Sequence, residues 1–156
     1  MIVNASPNLV WSILTDYDNL ATHVPNLVES SRRPHPTGGI RLYQEGAQKI
    51  IGFDFRASLT MDMLEVTDEA RALSLIQFKL VESAMFSHFD GEWRVQALSR
   101  TRSGEDPSQW TYKTILSYVV NITPRGFVPV PALEWRIRED IPVNLRAVRK
   151  ASEMLT

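Results

Sequence analysis

The stretch FDFRASLTMDM, residues 53–63, decides how this chain is read. Phe53, Phe55, Ala57, Leu59, Met61 and Met63 alternate without interruption with Asp54, Arg56, Ser58, Thr60 and Asp62. Successive side chains of a strand point to opposite faces, so an unbroken period of two over this length predicts an antiparallel strand with one dry and one wet face. Phe55, Leu59 and Met61 are expected inside, with Asp54, Arg56 and Thr60 in solvent. A slip of one residue would invert every one of these assignments.

Outward from this stretch the same alternation recurs. Strands are predicted over Leu27–Arg33 and Ile40–Gln48 before it, separated by the turn-rich PHPTGG of residues 34–39. After it come Ala72–Leu80, Phe86–Ser99 with Gly91 read as a bulge, and Gln109–Thr123 beyond the loop at residues 103–108. In the last of these Trp110, Tyr112, Thr114, Leu116, Tyr118 and Val120 share a face. Met1–Asn4 reads as the stub of a further strand.

Two segments have helical rather than strand spacing. Ser6-Pro7 is an N-cap followed by proline at the first helical position, opening a short amphipathic helix to about Thr15 through Val10, Trp11 and Leu14. Asp16 or Asp18 is expected to cap a second short helix over Asn19–His23, stopped by Pro25. Beyond Pro124, Pro129 and Pro131, the residues Leu133, Ile137, Ile141, Leu145, Val148 and Leu155 form the apolar stripe of one long helix, which Pro142 should kink. The fold class is therefore α+β: a curved antiparallel sheet of six to seven strands wrapped round a long C-terminal helix, with two short helices after the first strand, in one domain over residues 1–156.

Composition narrows the function classes. With 17 Lys+Arg against 18 Asp+Glu, the formal net charge of −1 offers no field for nucleic acid. The chain has no cysteine, which removes disulfides, thiolate metal sites and a cysteine nucleophile. No G-x-S-x-G, H-E-x-x-H, P-loop or dinucleotide glycine fingerprint occurs, and no stretch has the length of a transmembrane helix. Asp16, Tyr17, Asp18 and His23 form either a proton-relay or metal constellation or, as helix breaks favour, a cap with Tyr17 packed by its ring. His88, Asp90 and Glu92 would share a face on a flat strand and leave it at a bulge. No catalytic residue, metal or cofactor is assigned.

Three segments together resemble a known family. SPNLVWSILTDYDNLATHVPNLVESS, residues 6–31, is similar to the opening of the START/Bet v 1-like helix-grip superfamily (SRPBCC), and within it more so to the polyketide cyclase/dehydrase and coenzyme-Q-binding branch. FSHFDGEWRV, residues 86–95, resembles the family's F-x-x-F-x-G-x-W strand, and residues 114–124 with 141–153 resemble its closing strand and helix. The family's first strand is longer than the four residues preceding Ala5, which implies either a less closed sheet or a start further upstream.

The resemblance implies a cavity between sheet and C-terminal helix that holds an apolar small molecule such as a lipid, isoprenoid quinone or pigment. The aromatic residues Phe55, Phe78, Trp93, Tyr112, Tyr118 and Trp135, with Leu59 and Leu116, would crowd this space as core or as ligand contacts. Gly126, Phe127 and Pro142 are expected at its entrance, with Phe127 either covering the mouth, touching a membrane or packed into the core. A binder or carrier is the leading reading. A cyclase or dehydrase with an acid or base in the cavity, and a module delivering an apolar cofactor to a larger assembly, are the alternatives. The expected partner is thus a hydrophobic small molecule, with transient membrane contact and no nucleic acid. The resemblance places the chain in a bacterial or cyanobacterial cytoplasm, or in a plastid stroma given an upstream transit peptide.

Overall fold

The computed structural model describes the backbone of residues 1–50, 53–126 and 129–156, and their side chains apart from residues 48–55. The alternating stretch lies in β4 (Phe53–Asp68), which continues beyond Met63. Leu59, Met61 and Met63 are buried and Arg56 is exposed, so the register is the one its alternation predicts. Thr60 is half-buried rather than exposed, at the point where pairing with the next strand is irregular. The Phe55 side chain lies outside the described residues.

β4 pairs on one side with β3 (Ile40–Ile50) and on the other with β5 (Leu73–Glu82). β2 (Leu27–Arg33), β6 (Phe86–Arg102) and β7 (Trp110–Pro124) extend the meander. β1 (Ile2–Val3) joins the far edge of β7, giving a curved seven-stranded antiparallel sheet in the order β1-β7-β6-β5-β4-β3-β2. Gly91 is not a bulge. It pairs regularly with Val120 and Phe78, and the irregularities of β6 fall between Phe86 and His88 and between Ala97 and Ser99. What Gly91 supplies is close approach: a Cβ there would collide with the Val119 carbonyl oxygen and come within 2.9 Å of Phe78 Cζ. Among the described residues, no cluster of three or more acidic or histidine side chains is placed to hold a metal ion.

The helices close the concave side. α1 (Pro7–Leu14) begins as its sequence predicts, with Ser6 Oγ accepting from the Leu9 N–H at 3.3 Å. It buries Val10, Ile13 and Leu14 against the sheet, each worth ~1.5–3 kcal/mol when fully removed from water. A 3-10 turn over Tyr17–Asn19 leads into α2 (Leu20–His23). Neither Asp16 nor Asp18 caps α2, whose N-cap position is held by Asn19. Asp16 stands at the N-cap position of the 3-10 turn, its carbonyl accepting from the Asn19 N–H at 3.0 Å, but its carboxylate makes no cap bond and accepts from the Asn19 side-chain amide at 2.9 Å. Asp18 instead accepts from the Arg32 N–H at 2.8 Å and so pins β2 beneath the turn. α3 (Val130–Glu153) runs along the concavity with Leu133 and Val148 in the core, and Pro142 lies inside it as a residue that cannot donate to the Arg138 carbonyl. Leu155, expected in the apolar stripe, lies past the end of α3 and is exposed.

Candidate functional site

Between the concave sheet face and α3 lies a cavity of two lobes. One, of about 120 Å³, is bounded by α1, the 3-10 turn and α2 through Leu14, Tyr17 and Leu20, and by Met63, Ile76 and Phe78 of the sheet. The other, of about 220 Å³, lies under the first half of α3, against Leu133, Ile137 and Ile141, and over Ala57, Leu59 and Phe86. Val24, Leu27, Gln44, Phe89, Tyr118 and Asn144 border both lobes, so the two meet at a common waist.

The sheet builds the aromatic wall by register. Ile76, Trp93 and Tyr118 stand opposite one another on β5, β6 and β7, with Glu65 of β4 completing the row. The Trp93 and Tyr118 ring centroids are 4.3 Å apart, and Phe78 lies 5.8 Å from both Phe89 and Tyr118. These are separations at which aromatic rings attract one another. Gly91 sits in the neighbouring row between Phe78 and Val120, where the missing side chain leaves room for the Phe78 ring.

Of the residues expected to line the cavity, Leu59, Phe78, Trp93 and Tyr118 do so. Leu116 faces inward but is sealed in the core. Tyr112 borders a separate groove at the opposite end of β7, beside Ser6, Leu9 and Trp110. It lies there because β6 and β7 continue as a two-stranded ribbon past the last residues that pair with β5 and β1. Trp135 does not line the cavity: it is 51% exposed, since a helix that turns Leu133 and Ile137 inward turns the residue between them out. At the expected entrance, Gly126 is exposed, Phe127 lies outside the described residues, and Pro142 is half-buried in α3 without bordering either lobe.

The polar groups of the site are few and distinct. Tyr17, only 1% exposed, donates its O–H to Glu65 Oε1 at 2.6 Å. Burial first, and then this bond to a carboxylate, push its phenol well above the ordinary tyrosine range. Burial alone does the same for Tyr118, which makes no side-chain hydrogen bond among the described residues. Both phenols therefore stay protonated wherever the protein is folded near neutral pH. At the end of the lobe beneath α3, Asp140 pairs with Arg136 at 2.9 Å and accepts from Asn26 Nδ2 at 3.3 Å. Asn144 Oδ1 is buried and has no hydrogen-bond partner among the described residues.

Three of these groups carry no mark in the sequence reading. Glu65 had a usable signal, since the alternation of residues 53–63 carried two positions further puts it on the dry face. Asn144 falls one turn before Val148 and three residues after Ile141, within the inward stripe, but an asparagine there is invisible to a search for apolar periodicity. Asp140 lies four residues after Arg136, a spacing that reads equally as a surface ion pair.

Comparison with known proteins agrees with this architecture. The family model described as polyketide cyclase / dehydrase and lipid transport matches residues 3–149. A START superfamily protein from Mycobacterium smegmatis is similar in structure at 18% identity and a TM-score of 0.68, over 100% of this chain and 95% of that one. The Zhui aromatase/cyclase from Streptomyces sp. R1128 is similar at 19% identity and a TM-score of 0.64, over 98% and 90%. TTHA0849 from Thermus thermophilus is similar at 14% identity and a TM-score of 0.62, over 100% and 95%. Identities this low speak to the shared fold. No protein of curated function matches the sequence. Among the described residues no helix is long and apolar enough to cross a membrane. With a helix-grip architecture, a cavity between sheet and helix, and a family match over nearly its whole length, the chain belongs to the polyketide cyclase/dehydrase and lipid transport family.

Proposed function

We propose that this protein binds and carries a hydrophobic small molecule, of the lipid, isoprenoid quinone or pigment type, in the two-lobed cavity. The observation that carries this reading is the cavity itself: a mostly apolar, aromatic-walled space under α3 with a small number of polar tips. That is the composition of a ligand pocket rather than of an unfilled core. Membership of a family whose description spans cyclases and lipid transport supports a hydrophobic ligand in general.

The chemistry on the walls favours carriage over catalysis. A general base needs a group able to take a proton near neutral pH. Tyr17 and Tyr118 are held protonated, and Asp140, the one carboxylate among the described lining residues, is engaged by Arg136 and Asn26. Asp140 is also what keeps a cyclase- or dehydrase-type reading in view as the second possibility, since it is a carboxylate at the edge of an apolar pocket. Native mass spectrometry of protein purified from its own host separates the two. A carrier retains an apolar molecule that it returns unchanged on denaturation. Protein that co-purifies with nothing, and takes up neither a quinone nor a fluorescent fatty acid, would overturn the proposal. Turnover of a bound polyketide-like compound, lost in Asp140→Asn, would favour the enzyme.

A further inference from the structure

We infer that the molecule held in this cavity carries a hydroxyl group between two apolar segments, and that Asn144 and Tyr118 recognise it. This rests on the cavity being a ligand site. Six residues border both lobes, and three of them, Gln44, Tyr118 and Asn144, are polar. The lobes on either side of that waist are walled mainly by Leu, Ile, Met and Phe side chains. The Asn26, Arg136 and Asp140 side chains at the end of one lobe are paired with one another, so an occupant that fills both lobes has apolar ends and meets its polar partners near the middle.

The state of those partners identifies the group. Asn144 Oδ1 is a buried acceptor with no donor among the described residues. It stands on the inward stripe of α3, between Ile141 and Val148, where a leucine would pack at no such cost. The Tyr118 hydroxyl is a donor that makes no side-chain hydrogen bond among the described residues, and burial keeps its proton in place. Gln44 spends one amide hydrogen on Ser30 Oγ at 3.3 Å, while Tyr17 is taken up by Glu65. Among the described residues the buried side-chain atom left without a partner is thus Asn144 Oδ1, which calls for a donor, and the Tyr118 hydroxyl at the same waist can supply a second bond. A ketone or ether can accept from Tyr118 or from the Asn144 and Gln44 amide groups, but it leaves Asn144 Oδ1 without a donor. A hydroxyl meets both with one oxygen, donating to Asn144 and accepting from Tyr118. Discrimination of this kind is strong because a ligand lacking the group leaves a buried acceptor unpaired.

Fluorene, 9-fluorenone and 9-fluorenol test the inference, since they share one tricyclic skeleton and differ in what stands between its two rings. Dissociation constants are measured by calorimetry and corrected for each compound's partition between water and octanol. 9-Fluorenol is expected to bind at least about tenfold more tightly than fluorene, with 9-fluorenone between them. Asn144→Leu should reduce the preference for 9-fluorenol to less than about threefold while fluorene binds as well as before. Tyr118→Phe should reduce the advantage of 9-fluorenone over fluorene. Asn144→Leu should also melt at or above the wild-type temperature, which shows that it is folded. Equal binding of fluorene and 9-fluorenol, or a full preference retained in Asn144→Leu, would overturn this inference and leave the carrier reading standing. If none of the three binds to the wild type, the cavity is not a site for such molecules and both fail.

Discussion

Replacing Gly91 with alanine adds one methyl group at the point where the sheet has least room for it. Its Cβ would collide with the carbonyl oxygen of Val119 on β7 and lie 2.9 Å from Phe78 Cζ. The phenylalanine ring can turn aside, but the carbonyl belongs to a strand paired with β6 from Phe86 to Arg102 and cannot retreat alone. Overpacking of this kind costs ~1–3 kcal/mol, and a backbone obstacle in the centre of a sheet puts Gly91→Ala at the upper end, about 3 kcal/mol. For a domain of this length each kcal/mol lowers Tm by ~2–4 °C, so a loss of about 6–12 °C is expected in thermal unfolding followed by circular dichroism. Gly104→Ala is the control, because no atom lies within 4 Å of its added Cβ, and its Tm should stay within about 1 °C of wild type. Phe78 borders the cavity, so Gly91→Ala should also weaken binding of an apolar probe at temperatures where the protein remains folded. A Gly91→Ala protein that melts within about 2 °C of wild type would refute the close-approach account of this glycine.

Other consequences follow from the buried polar groups. Tyr17 and Tyr118 have phenols raised by burial, so above about pH 10 the unfolded chain releases protons that the folded one keeps, and stability falls as pH rises. Phenolate absorbance should show two of the four tyrosines ionising only as the protein unfolds, and the double change to phenylalanine should flatten the alkaline limb. Asp62 is held below the usual carboxylate range, first by its hydrogen bond from Arg41 and then by the charges of Arg41 and His35. Its contribution is present above the ordinary aspartate pKa and is lost as pH falls through the depressed one. The gap between wild type and Asp62→Asn in urea titrations should therefore be full at neutral pH and close in acid, and a gap that persists unchanged would count against the pairing. Thr114 Oγ1, fully buried, donates to the Ala5 carbonyl at 2.7 Å and ties the entry of α1 to β7, so Thr114→Val should cost on the order of 1–3 kcal/mol. Chemical denaturation checks it, and a change below about 0.3 kcal/mol would show that the bond is replaced by water.

The sheet was legible because alternation survives any detail of packing: β2 is found at its predicted limits, and β4 buries Leu59 and Met61 as predicted. What failed were statements about local geometry that depend on partners elsewhere in the chain. Gly91 reads as a bulge when β6 is viewed alone, yet its role is set by Val119 and Phe78 on two other strands. Asp18 has the chemistry of a cap, and an N–H from β2 claims it. Trp135 is drawn into a cavity by its size when only the phase of α3 decides its direction. The waist was the least legible part. Its polar character comes from Gln44, Tyr118 and Asn144, and Asn144, which in sequence looks like an ordinary polar position, acquires meaning only through the partner it lacks among the described residues.

From β2 to β7 each strand pairs with its neighbour in sequence, whereas α1 and α3 are tied by contacts such as Ala5 to Thr114 and Asn4 to Glu153, spanning 109 and 149 residues. Short loops close at little entropic cost and long ones at more, so the meander is able to zip before the last helix docks. α3 rests partly on a cavity rather than on side chains, so its amide hydrogens should exchange with solvent through openings that leave β4, β5 and β6 protected. A bound ligand supplies the contacts that the empty lobes withhold, and so should slow exchange along α3 far more than in the sheet. In a carrier, loading and release would then need no unfolding of the curved sheet. They need only that the element which folds last be the one that lets go first.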